Sequence, residues 1–481
     1  MRFLTLAVGT ALLLGGCGGG SPGNAPAGAN IAPENALAFV SVDTNTDGSQ
    51  WTTTRDLLAK FPVHDRLSAA IERSLSEQGV DFERDVKPAF GNEVDLVVLA
   101  PASAGASPTV VALTQPDDES KLEALLDKAN TPYVKENVEG WTAIAQTQAD
   151  LDRFDEARKN GTLDESDRFK SASSALESDA LVSFYVDGKQ LGGAVRNALQ
   201  GQSVPFAFNP TNAEWLSGAL RARDDGFLLR ASAKGAESQS ATFKSELVDE
   251  VPARTVAFVS FSNLEQGLRR LRNSLAQSMP FIDPQIGQVE SALGVSLERD
   301  ILPLFANEGA IALAPGEPFP AVSLILKVDD ETKARGTLDR LARGIARLAG
   351  LEPPVSTEIA GTSAGQLVVR NFSVFYAVFD GKAVITTARD GIAGLRESGG
   401  KLGDDATFKA AKDASGMPDD TAGFVYVDIQ KAANLAYDLA QAGGKRVPAD
   451  ARANIDPLES LIAYSARDGD RTDVTALVRI K

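Results

Sequence analysis

The chain carries 65 carboxylates but a single histidine, His64, and a single cysteine, Cys17. That inventory bounds the chemistry before any element is placed. With no cysteine after position 17, the folded body has no thiol nucleophile and can close no internal disulfide. His-rich zinc sites are excluded, and a Ser–His mechanism would depend on His64 alone. His64 lies in Lys60-Phe61-Pro62-Val63-His64-Asp65, at an expected helix start, and reads as a surface or capping residue. Catalysis would therefore fall to carboxylates, a lysine or a bound metal, and among so many carboxylates no acid/base pair stands out.

Two short patterns invite sharper readings. Gly361-Thr362-Ser363-Ala364-Gly365 has the spacing of a nucleophile elbow, but Leu367-Val368-Val369 behind it predicts a strand where an elbow needs a helix. Asp43-Thr44-Asn45-Thr46-Asp47-Gly48 opens like a calcium loop, with Asp43, Asn45 and Asp47 as candidate ligands. Its twelfth position is Thr54 instead of a bidentate Glu, so a polar turn is expected. No Walker loop and no dinucleotide fingerprint occurs. The expectation is a protein without enzymatic activity, cofactor or metal.

The stretch that organises the chain is written twice. Gly79-Val80-Asp81-Phe82-Glu83-Arg84-Asp85 runs on through Pro88 and Phe90 to Asn92-Glu93, and Gly294-Val295-Ser296-Leu297-Glu298-Arg299-Asp300 runs on through Pro303 and Phe305 to Asn307-Glu308. Glu83, Arg84, Asp85, Asn92, Glu93 and their counterparts Glu298, Arg299, Asp300, Asn307, Glu308 are the candidate binding residues. A capping loop explains them equally: Gly ends a helix, Asp85 and Asp300 suit the N-cap of a short one, and Pro88 and Pro303 fit its first turn. Phe90 and Phe305 are expected under a sheet.

Other segments recur around this block. Ala38-Phe39-Val40-Ser41-Val42 returns as Ala257-Phe258-Val259-Ser260-Phe261, and Phe184-Tyr185-Val186-Asp187 as Val425-Tyr426-Val427-Asp428. Strands 94–99 and 109–113 pair with 310–314 and 321–327 as two hairpins, each leading into a long helix, near 119–129 and 331–349. In the second of these helices Leu338, Leu341, Ile345 and Leu348 form an apolar face opposite Arg340, Arg343 and Arg347. The fold class that follows is α+β, two tandem duplicated halves, each a mainly antiparallel sheet covered by helices. The halves span 33–235, the more acidic, and 252–481, with a linker at 236–251. A groove between them, acidic on the first-half side, is the expected place for a ligand.

The net charge of −17 argues against nucleic acid as a partner. Residues 1–17 read as a secretory signal: Arg2, an apolar run, then Leu14-Gly15-Gly16-Cys17. This tetrapeptide resembles the bacterial lipobox, in which the cysteine is lipidated and becomes the first mature residue. Residues 18–32 read as a flexible Gly/Pro/Ser tether. The expected location is the outer face of the cytoplasmic membrane, held by the N-terminal lipid.

The lipobox, the opening Pro33-x-x-Ala36-Leu37-Ala38-Phe39-Val40-Ser41-Val42-Asp43, the Trp51 helix and the Glu-Arg-Asp block together resemble the bacterial lipoprotein family called domain of unknown function 3352. The resemblance implies no activity and assigns no functional residue. The second half lacks the Asp-rich loop and the Trp, so whatever they do belongs to the first half. The leading reading is a non-enzymatic binding or interaction module, its partner a cationic or hydrophobic small ligand or an envelope protein. Alternatives are a solute- or lipid-binding lipoprotein serving a transporter or envelope pathway, and a carboxylate- or metal-dependent hydrolase.

Overall fold

Both copies of the Glu-Arg-Asp loop fold alike in the computed structural model, which describes residues 25–103, 106–129, 131–176, 179–198, 213–235, 241–279, 281–370 and 372–481. Gly79 and Gly294 end their helices at φ 65° and 73°, where glycine escapes the left-handed penalty. A wide helical turn follows in each, Phe82–Val86 and Leu297–Ile301. It is tied reciprocally. The Arg84 amide donates to Asp81 Oδ1 at 2.8 Å, and the Asp81 amide donates to Asp85 Oδ2 at 2.9 Å. Ser296 and Asp300 repeat this, the Arg299 amide reaching Ser296 Oγ at 3.4 Å and the Ser296 amide reaching Asp300 Oδ2 at 2.8 Å. Asp81 and Ser296 thus head the turn, and Asp85 and Asp300, expected there, lie inside it and reach back. Pro88 and Pro303 sit in the first turn of the short helix that follows, as expected.

The first half runs β1 (Ala38–Asp43), α1 (Ser49–Leu58), α2 (Val63–Glu77), β2 (Glu93–Leu99), β3 (Thr109–Thr114), α3 (Glu119–Lys128), β4 (Val134–Val138), β5 (Trp141–Ala145), α4 (Gln148–Arg158), α5 (Asp167–Ser173), β6 (Val182–Asp187), α6 (Gly188–Ala198), β7 (Trp215–Arg223), β8 (Gly226–Lys234). The second runs β9 (Ala257–Ser262), α7 (Leu264–Ser278), α8 (Ile282–Leu293), β10 (Glu308–Ala314), β11 (Ala321–Lys327), α9 (Glu331–Ala349), β12 (Val355–Ile359), β13 (Thr362–Val369), β14 (Phe372–Phe379), β15 (Lys382–Thr386), α10 (Arg389–Arg396), α11 (Ala406–Ser415), β16 (Gly423–Asp428), α12 (Ile429–Ala442), α13 (Ala449–Ile455), β17 (Leu458–Asp468), β18 (Arg471–Ile480).

These strands join one 18-stranded sheet in the order β4-β5-β3-β2-β1-β6-β7-β8-β18-β17-β16-β9-β10-β11-β15-β14-β13-β12. Read outward from the middle, the two halves have the same order, and the second adds the hairpin β12–β13 at its edge. The halves meet edge to edge: β8 pairs antiparallel with β18, Gly226 opposite Arg479 and Lys234 opposite Arg471. No hinge separates them.

One face of the sheet is packed by α4 and α5 in the first half and by α10 and α11 in the second. Phe39, Tyr185 and Trp215 meet Phe154 and Phe169 there, and Phe258, Tyr426, Ile462 and Leu477 meet Ile392 and Phe408. The copies even share an edge-on ring pair, Phe169 with Tyr185 at 5.2 Å and Phe408 with Tyr426 at 5.0 Å. On the other face α3 covers Ala112 and Ile144 near one end, and α9 covers Leu326, Tyr376 and Ala383 near the other.

Four expectations need correction. Residues 27–32, assigned to the tether, are packed: Ala27–Asn30 make a turn, and Ala29, Ile31 and Ala32 are buried. Of the linker 236–251, the described residues 241–251 belong to the second half, whose core includes Leu247, Val248 and Val251. Helix α9 buries Ala334, Leu338, Ala342 and Ala346, while Ile345 and Leu348 are exposed, because small residues let the helix sit close to the sheet. Phe90 and Phe305 are only half-buried at the rims of their clusters, and the fully buried residue beside Phe90 is Ala89.

Candidate functional site

The repeated block turns out to be structural. Glu83 and Arg84 are exposed. Asp85 is bound by Arg84 and by Lys121 of α3 at 2.9 Å, and these partners hold its carboxyl well below the usual range. Asp300 is bound by Arg340 of α9 at 2.7 Å, and Glu298 pairs with Arg269 of α7. Asn307 donates to Asp329 at 3.1 Å. The loop pins the next helix to the sheet in each half, and the two loops lie in different halves with no shared cleft.

The closing glutamates have a second task. Glu93 Oε1 accepts from the Gly28 amide at 3.1 Å, and Glu308 Oε1 accepts from the Leu247 amide at 3.0 Å and from Ser245 Oγ at 2.7 Å. Each glutamate fastens the turn that precedes the first strand of its half. The environments then diverge. Lys327 reaches Glu308 at 3.1 Å, whereas Glu93, opposite Asp43 in the ladder, stands beside Asp95, which is fully buried against Gly28. Burial, and then the Glu93 charge, push the Asp95 carboxyl well above its ordinary range. Burial also raises Asp43, to about 7, with Asp179 and Glu93 adding to it.

The Asp-rich loop does not converge on a point. Asp43 Oδ1 accepts from the Asn45 amide at 2.8 Å, Asn45 is buried, and Asp47 binds Lys87 at 2.9 Å. Among the described residues no group of three or more His, Cys, Asp or Glu side chains is placed to hold a metal ion. His64 lies at the start of α2 with its ring 3.3 Å from Asp65, and Ser363 lies inside β13 opposite Glu358. A polar hollow of ≈ 550 Å³ lies wholly within the second half, lined by Glu246, Glu250, Glu308, Lys327 and Lys382 among others. Two of its three lining lysines are paired internally, Lys382 with Glu250 at 2.6 Å and Lys327 with Glu246 and Glu308.

The unusual feature is the second face of the central strands. An antiparallel sheet with one packed and one open face normally alternates apolar-in and polar-out. Here the packed face holds the polar residues, among them Ser41, Asp187, Ser217, Arg230, Asp428 and Ser460. The other face is aliphatic. Cross-strand partners on it run Leu96, Val40, Phe184, Gly218, Ala231 and Val474 in one row. A second row runs Leu229, Ala476, Ala463, Val425, Val259 and Ile311. Yet Leu229 is 39%, Val474 44%, Val425 36% and Ile311 44% exposed. The helices around this face do not seal it. Helices α2, α8 and α12 bury no residue, and Leu67, Leu271, Val289 and Leu439 are exposed large apolar side chains. Over the central strands, among the described residues, α1 packs closely, with Trp51 and Leu57 on Leu181, Ala222 and Ile480.

Sequence reasoning missed this face. Its signal is present, since Leu216, Leu220, Phe227, Leu229 and Ala231 recur at every second position of β7 and β8, but alternation alone does not say which side the helices take.

A family model described as a protein of unknown function, DUF3352, matches residues 3–139 and 208–479. The chain belongs to the DUF3352 family. The match takes in both Glu-Arg-Asp loops and the strands β7, β8, β17 and β18 at the middle of the sheet. No curated protein matches this DUF3352 chain. Among solved structures, crystal form III of TP0453 is 7% identical with a TM-score of 0.24, covering 44% of this chain and 80% of that one. Crystal form I is 8% identical at 0.23, covering 46% and 81%. Likeness of that size carries no argument about this DUF3352 protein. Among its described residues, no helix is long and apolar enough to cross a membrane. Cys17 lies outside the described residues.

Proposed function

We propose that this DUF3352 protein is a lipid-anchored extracytoplasmic binding protein that does no chemistry and holds a hydrocarbon chain on the open face of its central sheet. The observation that carries the reading is the half-exposed aliphatic surface around Leu229, Val474, Val425 and Ile311. Contiguous apolar surface of that kind marks a binding site in a soluble domain. Ten adjacent strands, from β2 to β10 across the sheet, at about 4.8 Å each, present a face roughly 43 Å wide. An acyl chain reaching through one leaflet, half of a ~30 Å hydrocarbon core, fits across it. Such a face offers almost no hydrogen-bonding group, so a polar solute would find nothing to replace its water.

The anchor rests on Leu14-Gly15-Gly16-Cys17. The absence of catalysis is supported by the surface position of His64 and by Ser363 lying within a strand.

The test is native mass spectrometry of the purified full chain, then titration with a fluorescent fatty acid. Co-purified lipid and saturable binding, both lost on Val474→Asp with Ile311→Asp, are expected. A co-purifying polypeptide with no fatty-acid binding would favour the interaction-module reading instead. Ester, glycoside or phosphate turnover abolished by Ser363→Ala or by one carboxylate substitution would overturn the non-enzymatic reading. An unmodified thiol at position 17 of the mature protein would remove the anchor.

A further inference from the structure

The first copy carries a charge conflict that the second copy shows to be unnecessary for the fold. Asp95, opposite Ser41, and Ala310, opposite Ser260, hold the same ladder position. Asp43 and Ser262 share another, each opposite the closing glutamate of its half. Lys327 binds Glu308 in the second copy at 3.1 Å, whereas among the described residues no lysine or arginine pairs with Glu93. The first copy thus holds two more carboxylates and one cation fewer where Ala, Ser and Lys build the same turn.

Asp95 is fully buried, and among the described residues neither of its oxygens makes a hydrogen bond. Ionised, such a carboxyl is far costlier than when it holds a proton. The Ser41 hydroxyl and the Gly28 amide favour its charged form less than burial and Glu93 oppose it. The next charged groups are carboxylates too: Asp43, opposite Glu93, and Asp179, which accepts from Ser49 Oγ at 3.0 Å. Leu113, opposite Asp95 on β3, brings no charge.

Against this carboxyl lies the N-terminal turn. A Cβ on Gly28 would overlap Asp95 Oδ2, and the Gly28 amide donates to Glu93 Oε1 at 3.1 Å. The Gly28 carbonyl in turn accepts from the amides of Ile31 at 3.0 Å and Ala32 at 2.9 Å. Gly28 is therefore the foot of a strap, residues 25–32, set down on two acids.

We propose that Asp95 and Glu93 form a proton-operated latch on this strap. With a proton shared between them the strap lies on the sheet. Without it the two charges repel, Gly28 loses its seat and the strap leaves. The latch does not rest on the hydrocarbon reading. Since the protonated form belongs to the seated strap, the latch is closed in acid and opens as pH rises. Freed, the eight residues add about 28 Å of reach ahead of β1.

The experiment follows amide hydrogen exchange of the full chain between pH 5 and 8, corrected for the intrinsic rate at each pH, in wild type, Asp95→Asn and Asp95→Ala. Ile31 and Ala32 are expected to lose protection about tenfold per pH unit in wild type. Glu250 and Val251 close the matching turn on the Leu247 carbonyl, beside the paired Glu308, and should hold. Both variants should keep the strap protected to pH 8, and Asp95→Ala copies the residue that the second copy tolerates at this position. Flat protection of Ile31 and Ala32 in wild type would overturn the latch. An equal loss at Glu250 and Val251 would overturn it as well, by showing a general opening. The same loss in both variants would do so by moving the pH dependence to another group.

Discussion

Arg230 faces Thr475 across the seam between the halves, and each is the other's counterpart. The turns of the two central hairpins fix the correspondence, Arg223 opposite Gly226 in one and Asp468 opposite Arg471 in the other. Gly226 then meets the counterpart of Lys234, and Lys234 the counterpart of Gly226. The seam has the geometry of a self-complementary two-fold interface written into one chain.

A proline in that seam tests whether the halves unfold as one. Ala476→Pro removes a ladder donor from a central strand and should cost about 3 kcal/mol or more. All three tryptophans, Trp51, Trp141 and Trp215, lie in the first half. Their fluorescence transition in denaturant is expected to shift with the far-UV signal, although the substitution is in the second half. An unmoved tryptophan transition would mean that the halves unfold separately.

Asp43 should make the first half sensitive to pH. Its folded pKa is raised to about 7, so its contribution is fully present below the unfolded value and lost as pH rises through 7. Asn keeps the acceptor for the Asn45 amide without the charge. Asp43→Asn should therefore be close to neutral at pH 4 and stabilising at pH 8 by roughly 1–3 kcal/mol, allowing for partial exposure. Thermal melts across that range read the difference, and a constant offset would contradict the assignment.

Glu308→Ala should cost roughly 2 kcal/mol, because it leaves the buried Leu247 amide and Ser245 hydroxyl unpaired beside Lys327. Urea midpoints measure it. A loss below half a kcal/mol would show that the turn is held by its apolar contacts alone.

Leu229→Lys should leave stability within about ±0.5 kcal/mol, since the side chain is 39% exposed. Hydrocarbon binding should fall in the same protein. A collapse of the melting temperature would instead show that Leu229 belongs to the core.

The duplication was legible because the Glu-Arg-Asp loop depends on local hydrogen bonds, which tie residue identity to sequence position. The hairpins 94–113 and 310–327 were legible for the same reason. The seam was not: the contact of β8 with β18 joins residues more than two hundred positions apart, and nothing in either strand's pattern names its partner. The role of Asp95 was equally hidden, since only the fold brings Gly28 beside it. The open face escaped for a third reason. An aliphatic strand face looks like core in any sequence, and the described helices on its side leave part of it exposed.

The position of β18 also sets an order of events. It is the last of the eighteen strands to be made, and it is inserted between β8 and β17, with a neighbour on each side. Until its ten residues emerge, a nascent first half presents β8 as a raw edge and β17 waits unpaired on one side. The final strand acts as a key: the molecule stays sticky until it turns, and a chain stopped before Arg471 would leave two edges free to pair with whatever lies near.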